Sequence, residues 1–233
     1  MTAVNVTVTP TCAWVSADSA MTAHTSFDRM VTVAMDGGFH APDTLRGLGE
    51  PPPAICGYAG KISILPARRL IVTGAGALAP VLGVRRGLEA VDTGGLDQTA
   101  DEMPDILRGV AAAMPGQPMR IFVAGWSERE DRALAFMFLD ADGFAPHRLD
   151  QGHSVGPLPP TSAMSRGTEI LWALSANGGD LEVESFHRSL ARDQATWSMA
   201  HSISAVGGEL WFARVDRDGV TMRNLGIIGA PED

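Results

Sequence analysis

Lysine is all but absent from this chain: of the 18 basic residues among 233, only Lys61 is not an arginine. Cysteine is nearly as scarce. Cys12 and Cys56 are too few for a disulfide framework and lack metal-ligand spacing, so both are expected to be buried thiols. The six histidines (His24, His40, His147, His153, His187 and His201) include no His-Glu-x-x-His pair and no Cys/His cluster, which predicts no metal site. No apolar run approaches the roughly 18 residues needed to span a bilayer, so no membrane segment is expected. The N-terminus has no basic stretch leading into an apolar core, so no secretory signal is expected, and the cytoplasm is the default location. A formal net charge of −9 and the lack of a basic stripe along the sequence disfavour a nucleic-acid partner.

What is present describes an ordinary globular protein, with 45% hydrophobic and 19% charged residues. Its length suits one domain over 1–233, with an insertion expected around 37–60. Alternation at Val4, Val6 and Val8 predicts a first strand. Ala13 to Ala17 reads as a second, ending at Asp18, and Met30 to Met35 as a third. Gly37-Gly38, Pro42 and Pro51-Pro52-Pro53 mark an irregular excursion. Ile62 to Leu65 and Arg69 to Thr73 read as a hairpin, followed by helices over Leu78 to Val91 and Leu96 to Met114, the second started by Asp97 or Thr99. Met119 to Ala124 and Ala133 to Leu139 form an expected antiparallel pair closing on Asp140-Ala141-Asp142-Gly143. Arg166 to Ser175 reads as a helix, and Asp180 can cap another whose Val183, Phe186 and Leu190 share a face. A final hairpin spans Glu209 to Ile228. Strands and helices grouped in this order predict an α+β fold of antiparallel sheets with helices on their outer faces.

Three motifs carry chemistry. Gly74-Ala75-Gly76-Ala77-Leu78-Ala79 fits a dinucleotide fingerprint, with Asp92 near the expected ribose acid, but Leu88 to Gly95 more naturally ends a helix than a parallel strand, so no cofactor is expected. Gly152-His153-Ser154-Val155-Gly156 matches a nucleophile elbow, with Asp180, Asp193, His187 and His201 as possible triad partners. Prolines at 157, 159 and 160 argue against the helix that an elbow needs directly after the serine. The preferred arrangement uses the chain's start. A small residue in second position permits removal of Met1, leaving Thr2 with a free α-amino group that can take the hydroxyl proton as the oxygen attacks a carbonyl. A nearby ammonium would keep that amine neutral and favour the developing alkoxide, and a carboxylate would hold the ammonium. Lys61 and Asp18 suit those roles, with the backbone N–H at Gly76 as an oxyanion donor.

These residues resemble the proteasome-like peptidases (proteasome β subunits and bacterial proteasome-related peptidases) of the N-terminal-nucleophile (Ntn) hydrolase superfamily. Thr2 and Asp18 stand sixteen positions apart in the context Val15-Ser16-Ala17-Asp18-Ser19. Lys61-Ile62, Arg69-Leu70, Ala75-Gly76-Ala77-Leu78, Val123-Ala124-Gly125-Trp126 and Leu139-Asp140-Ala141-Asp142-Gly143 are similar to further family landmarks. The resemblance implies a four-layer α-β-β-α sandwich and a threonine-type peptidase or amidohydrolase acting on peptide or protein substrates. It also implies association into rings or other homo-oligomers. Thr2 would be nucleophile and base, and Ser154 would correspond to a serine near the terminal amine. The alternative is a catalytically inactive structural or binding protein of the same fold. The chain departs from the family pattern in the 43-position separation of Asp18 and Lys61, in Ala20, and in His201 to Gly208, where no aspartate precedes the paired glycines.

Overall fold

The computed structural model describes residues 3–22, 39–40, 55–76, 78–90, 94–117, 119–150, 152–156, 179–201 and 206–228. Strands β1 (Val4–Val8) and β2 (Cys12–Asp18) form the expected opening hairpin, pairing Val4 with Ala17 and Val8 with Ala13. Every residue of both strands is buried. The reason is that apolar layers lie on both sides: Ala13, Val15 and Ala17 point into one core, and Cys12 and Trp14 into another.

The chain continues through β3 (Ala20–Thr22), β4 (Phe39–His40) and β5 (Ile55–Ala59), then β6 (Ile62–Leu65) and β7 (Leu70–Gly76). Helices α1 (Leu78–Ala90) and α2 (Leu96–Ala113) follow, then β8 (Met119–Ser127), β9 (Arg132–Leu139), β10 (His147–Leu149) and β11 (Gly152–Val155). Helix α3 (Asp180–His201) leads to β12 (Glu209–Asp216) and β13 (Val220–Ile227). One five-stranded sheet runs β11-β1-β2-β12-β13, the other β10-β9-β8-β7-β6, and all pairings in both are antiparallel.

Three cores set the layer order. Val4, Val6, Val15, Ile71, Phe122 and Ala135 fill the space between the two sheets. Leu70, Val72, Ile121 and Phe138 on the far face of the second sheet meet Val84 and Leu88 of α1 and Leu96, Met103 and Leu107 of α2. Trp14, Leu210 and Phe212 on the far face of the first sheet meet Val183 and Ala191 of α3. The result is the expected four-layer α-β-β-α sandwich. Each fully buried large aliphatic or aromatic side chain contributes about 1.5–3 kcal/mol to holding the layers together.

Several expectations are corrected. The excursion after β3 contains strands among its described residues: β5 pairs with both β3 and β4, giving a small three-stranded sheet. Helix α2 is capped by Gly95 rather than Asp97 or Thr99. Asp97 instead accepts hydrogen bonds from Ser127 Oγ (2.7 Å) and the Arg129 amide (3.1 Å), which ties the β8–β9 turn to the helix. Asp180 opens α3, but its Oδ1 accepts from Trp14 Nε1 (3.1 Å) and Arg214 Nε (2.9 Å). On α3 the buried face includes His187, with Phe186 only half-buried. Cys12 is a buried free thiol, as expected, with its pKa pushed up to about 12 by burial. The side chain of Cys56, the strand at 30–35 and the helix at 166–175 lie outside the described residues. Among the described residues no helix is long and apolar enough to cross a membrane.

Candidate functional site

The opening hairpin brings residue 3 beside residue 18. The Ala3 amide donates to Asp18 Oδ1 (2.9 Å), and the Asp18 amide donates back to the Ala3 carbonyl (3.3 Å). Asp18 at the end of β2 therefore holds both main-chain groups of Ala3, the amide through its carboxylate and the carbonyl through its own backbone amide. Thr2, bonded to that residue, lies outside the described residues.

Lys61 reaches the same carboxylate from the other sheet. Its Nζ stands 3.0 Å from Asp18 Oδ1, and it also donates to the Ala20 carbonyl. The small sheet explains the approach. Pairing of Ala20 with Tyr58, together with a hydrogen bond from the Ala59 amide to the Ser19 carbonyl (2.7 Å), delivers the chain to Lys61 two residues later. Thr73 Oγ1 then donates to the Lys61 carbonyl (2.9 Å), fixing its backbone against β7.

The pair is almost sealed from water, with Asp18 0% and Lys61 5% exposed. Burial lowers the Lys61 pKa below its ordinary value, and Asp18 pulls it back only in part. Asp18 has a further partner in the Gly207 amide, which donates to its Oδ2 (3.2 Å). A buried carboxylate that accepts one ammonium and two amides is a satisfied ion rather than a stranded one, and that condition is what makes a buried charge tolerable.

The other candidate residues fall around this centre unevenly. Gly76 ends β7 with φ 118, a conformation that favours glycine, and is exposed. Its strand pairs Thr73 with Ile62, so Gly76 lies at the same end of the second sheet as Lys61. Ser154 sits mid-strand in β11, paired with Asn5 of β1. Its hydroxyl donates to Asn5 Oδ1 (2.5 Å) and accepts from Gln194 Nε2 (3.0 Å). A serine inside a paired strand is not on the sharp turn that a nucleophile elbow needs. His187 is engaged elsewhere, with Nε2 3.0 Å from Thr7 Oγ1 and Nδ1 2.8 Å from Ser16 Oγ. The elbow triad with His187 is therefore corrected.

The dinucleotide motif is corrected as well. Strand β7 is antiparallel to both its neighbours, not part of a parallel nucleotide-binding unit. At Gly74 a Cβ would stand 2.8 Å from both Ile121 Cδ1 and Val81 Cγ2, so this glycine lets α1 pack closely on the sheet.

Sequence reasoning missed the Ala3 and Gly207 amides, the Ala20 carbonyl, Asn5 and Gln194. The first three are main-chain groups, which no residue type advertises. Asn5, a polar residue between Val4 and Val6 in a buried strand, was a visible signal, since such a side chain needs a partner.

This arrangement can be set beside known proteins. No family model matches the chain, and no curated protein matches it. Among solved structures it is similar to an Anbu (Gly-1) mutant from Hyphomicrobium sp. strain MC1, with a TM-score of 0.63 and 16% identity over 100% of this chain and 89% of that one. It is also similar to Anbu (ancestral beta-subunit) from Yersinia bercovieri, with a TM-score of 0.60 and 12% identity over 97% of this chain and 87% of that one. The chain has the Ntn-hydrolase fold. At these identities the likeness carries the fold alone. The narrower resemblance to proteasome β subunits and bacterial proteasome-related peptidases is overturned, because these two similar structures are Anbu proteins.

Proposed function

We propose that this protein is an amide or peptide hydrolase of the terminal-threonine type, with Thr2 as nucleophile after removal of Met1. The observation that carries the proposal is the buried Asp18–Lys61 pair, whose carboxylate also holds the Ala3 amide. In this reading the Thr2 hydroxyl attacks an amide carbonyl and passes its proton to the α-amino group. The carbonyl oxygen becomes an oxyanion facing the Gly76 amide. Collapse breaks the C–N bond, the amine departs with the proton, and water then cleaves the acyl ester. Lys61 supplies positive charge near the amine, and its lowered pKa suits proton exchange closer to neutrality than an ordinary lysine allows. Asp18 positions Lys61 and the start of β1, and Ser154 supports β1 through Asn5.

Intact mass is the first test: loss of one Met is expected, and its retention removes the free amine and with it the mechanism. The second is labelling by a peptide boronate, expected on Thr2. A fluorophosphonate adduct on Ser154 with Thr2 untouched would instead favour the serine. Lys61→Arg keeps a charge but cannot release a proton at ordinary pH, and should abolish turnover.

The competing reading is an inactive structural or binding protein of the same fold. It is favoured by the absence of an aspartate between His201 and Gly208. The remaining expectations belong to the same proposal: a single domain with an insertion around 37–60, and self-association into a homo-oligomer. Limited proteolysis and light scattering test these two.

A further inference from the structure

Helix α3 lays a row of polar side chains along the outer face of β1. His187 meets Thr7, and further along the helix Gln194 meets Asn5, two residues nearer the chain's start. One turn beyond Gln194, Ser198 is fully buried with a hydroxyl that has no hydrogen-bond partner among the described residues. Ala195, between these two, packs with Val206 against Ala3.

Gln194 is the most connected of the row. Its Oε1 accepts from Asn5 Nδ2 (3.0 Å), while its Nε2 is shared among Asn5 Oδ1 (3.3 Å), Ser154 Oγ (3.0 Å) and the Val155 carbonyl (3.3 Å). One fully buried carboxamide thus binds β1, β11 and α3 at a single point. Gly156 completes the contact. At φ +141 it passes so close that a Cβ there would stand 2.9 Å from Gln194 Nε2 and 3.3 Å from the Ala3 Cα.

Asn5 and Ala3 lie on the same face of the opening strand, with only Val4 between them in sequence, and Ala3 is the residue that Asp18 holds. From this juxtaposition we propose that Gln194 is a positioning residue of the site. Through Asn5, Ser154 and the close pass of Gly156, its carboxamide sets where the first residues of β1 stand relative to Asp18 and Lys61. The catalytic consequence rests on the terminal-threonine reading above, whereas the positioning of Ala3 does not.

The test uses the full chain and the variant Gln194→Met, which keeps side-chain length and removes every hydrogen bond of the amide. Two readouts are taken: hydrogen exchange at the Ala3 amide, and the rate and pH profile of Thr2 labelling by a peptide boronate. Expected are at least tenfold faster exchange at Ala3, at least tenfold slower labelling, and a displaced pH midpoint, since the amine would move relative to Lys61. A merely structural loss would lower the melting temperature without moving that midpoint. Wild-type labelling with an unmoved midpoint in the variant would overturn the proposal. If the wild-type protein is not labelled at all, the hydrolase reading fails, and exchange at Ala3 alone decides: faster exchange in Gln194→Met upholds the positioning role and unchanged exchange overturns it. If Gln194→Met does not fold, Gly156→Ala, which presses on Gln194 and Ala3 from the other side, is judged by the same readouts.

Discussion

Two buried titratable groups lie against residues only two apart on β2, and they solve the same problem in opposite ways. Asp18 at the strand's end meets Lys61, and the pair is ringed by main-chain partners. At Ser16, His187 is enclosed by Thr7, Ser16 and the rings of Phe186 and Phe212. With no charge among these partners, burial alone drives the His187 pKa down to about 3, and the ring stays neutral. Where an opposite charge is within reach a buried ion is held; where only hydroxyls are, the group gives up its charge. The charged site therefore has the makings of proton chemistry, and the neutral one serves as a hydrogen-bonded fixture between α3 and the hairpin.

The contrast breaks first at Lys61. Lys61→Met leaves Asp18 buried beside an apolar chain and should cost about 3–5 kcal/mol in denaturant unfolding. The double change Asp18→Asn with Lys61→Met removes both charges, and it should recover a measurable part of that loss. Simple additivity of the two single changes would show that the pair is not energetically coupled.

Next comes acid. An unfolded histidine protonates near pH 6.5, but His187 in the folded chain does so only near pH 3. Between those values the unfolded state holds the extra proton, so the stability from His187 is complete above about pH 6.5 and is lost as pH falls toward 3. Unfolding midpoints measured across that window should fall with a slope that His187→Gln reduces. An identical slope in the variant would show that the ring is not held neutral. The smallest effect should come from an exposed pair: Arg108→Ala removes a 2.5 Å contact with Asp105 on α2 and should change stability by less than about 0.5 kcal/mol.

Much of the fold was legible because burial imposes periodicity. Val4, Val6 and Val8 alternate because one face of β1 lines the inter-sheet core. The paired strands β8 and β9 and the final hairpin were legible for the same reason, sharpened by turn residues such as Gly143 and Gly219. Helix starts were less so. Asp97 looks like a cap, yet its carboxylate is drawn to Ser127 across the molecule. The strands of the small sheet were hidden because β3 and β4 are only three and two residues long and Pro42 and Pro51-Pro52-Pro53 interrupt the stretch between β4 and β5, so they are recognisable as strands only once paired.

The candidate site divides along the same line. By itself the sequence determined the local elements: a second-position threonine, a hairpin that returns Asp18 to Ala3, and a lone lysine ahead of a buried strand. Only the tertiary structure decided that Lys61 meets Asp18 across 43 positions and that Gln194 meets Asn5 across 189. Periodicity encodes which face of an element avoids water, because each residue's own hydrophobicity sets it. Which distant group fills a buried polar contact depends on how the two sheets and α3 stack, and that information resides in no single segment of the chain.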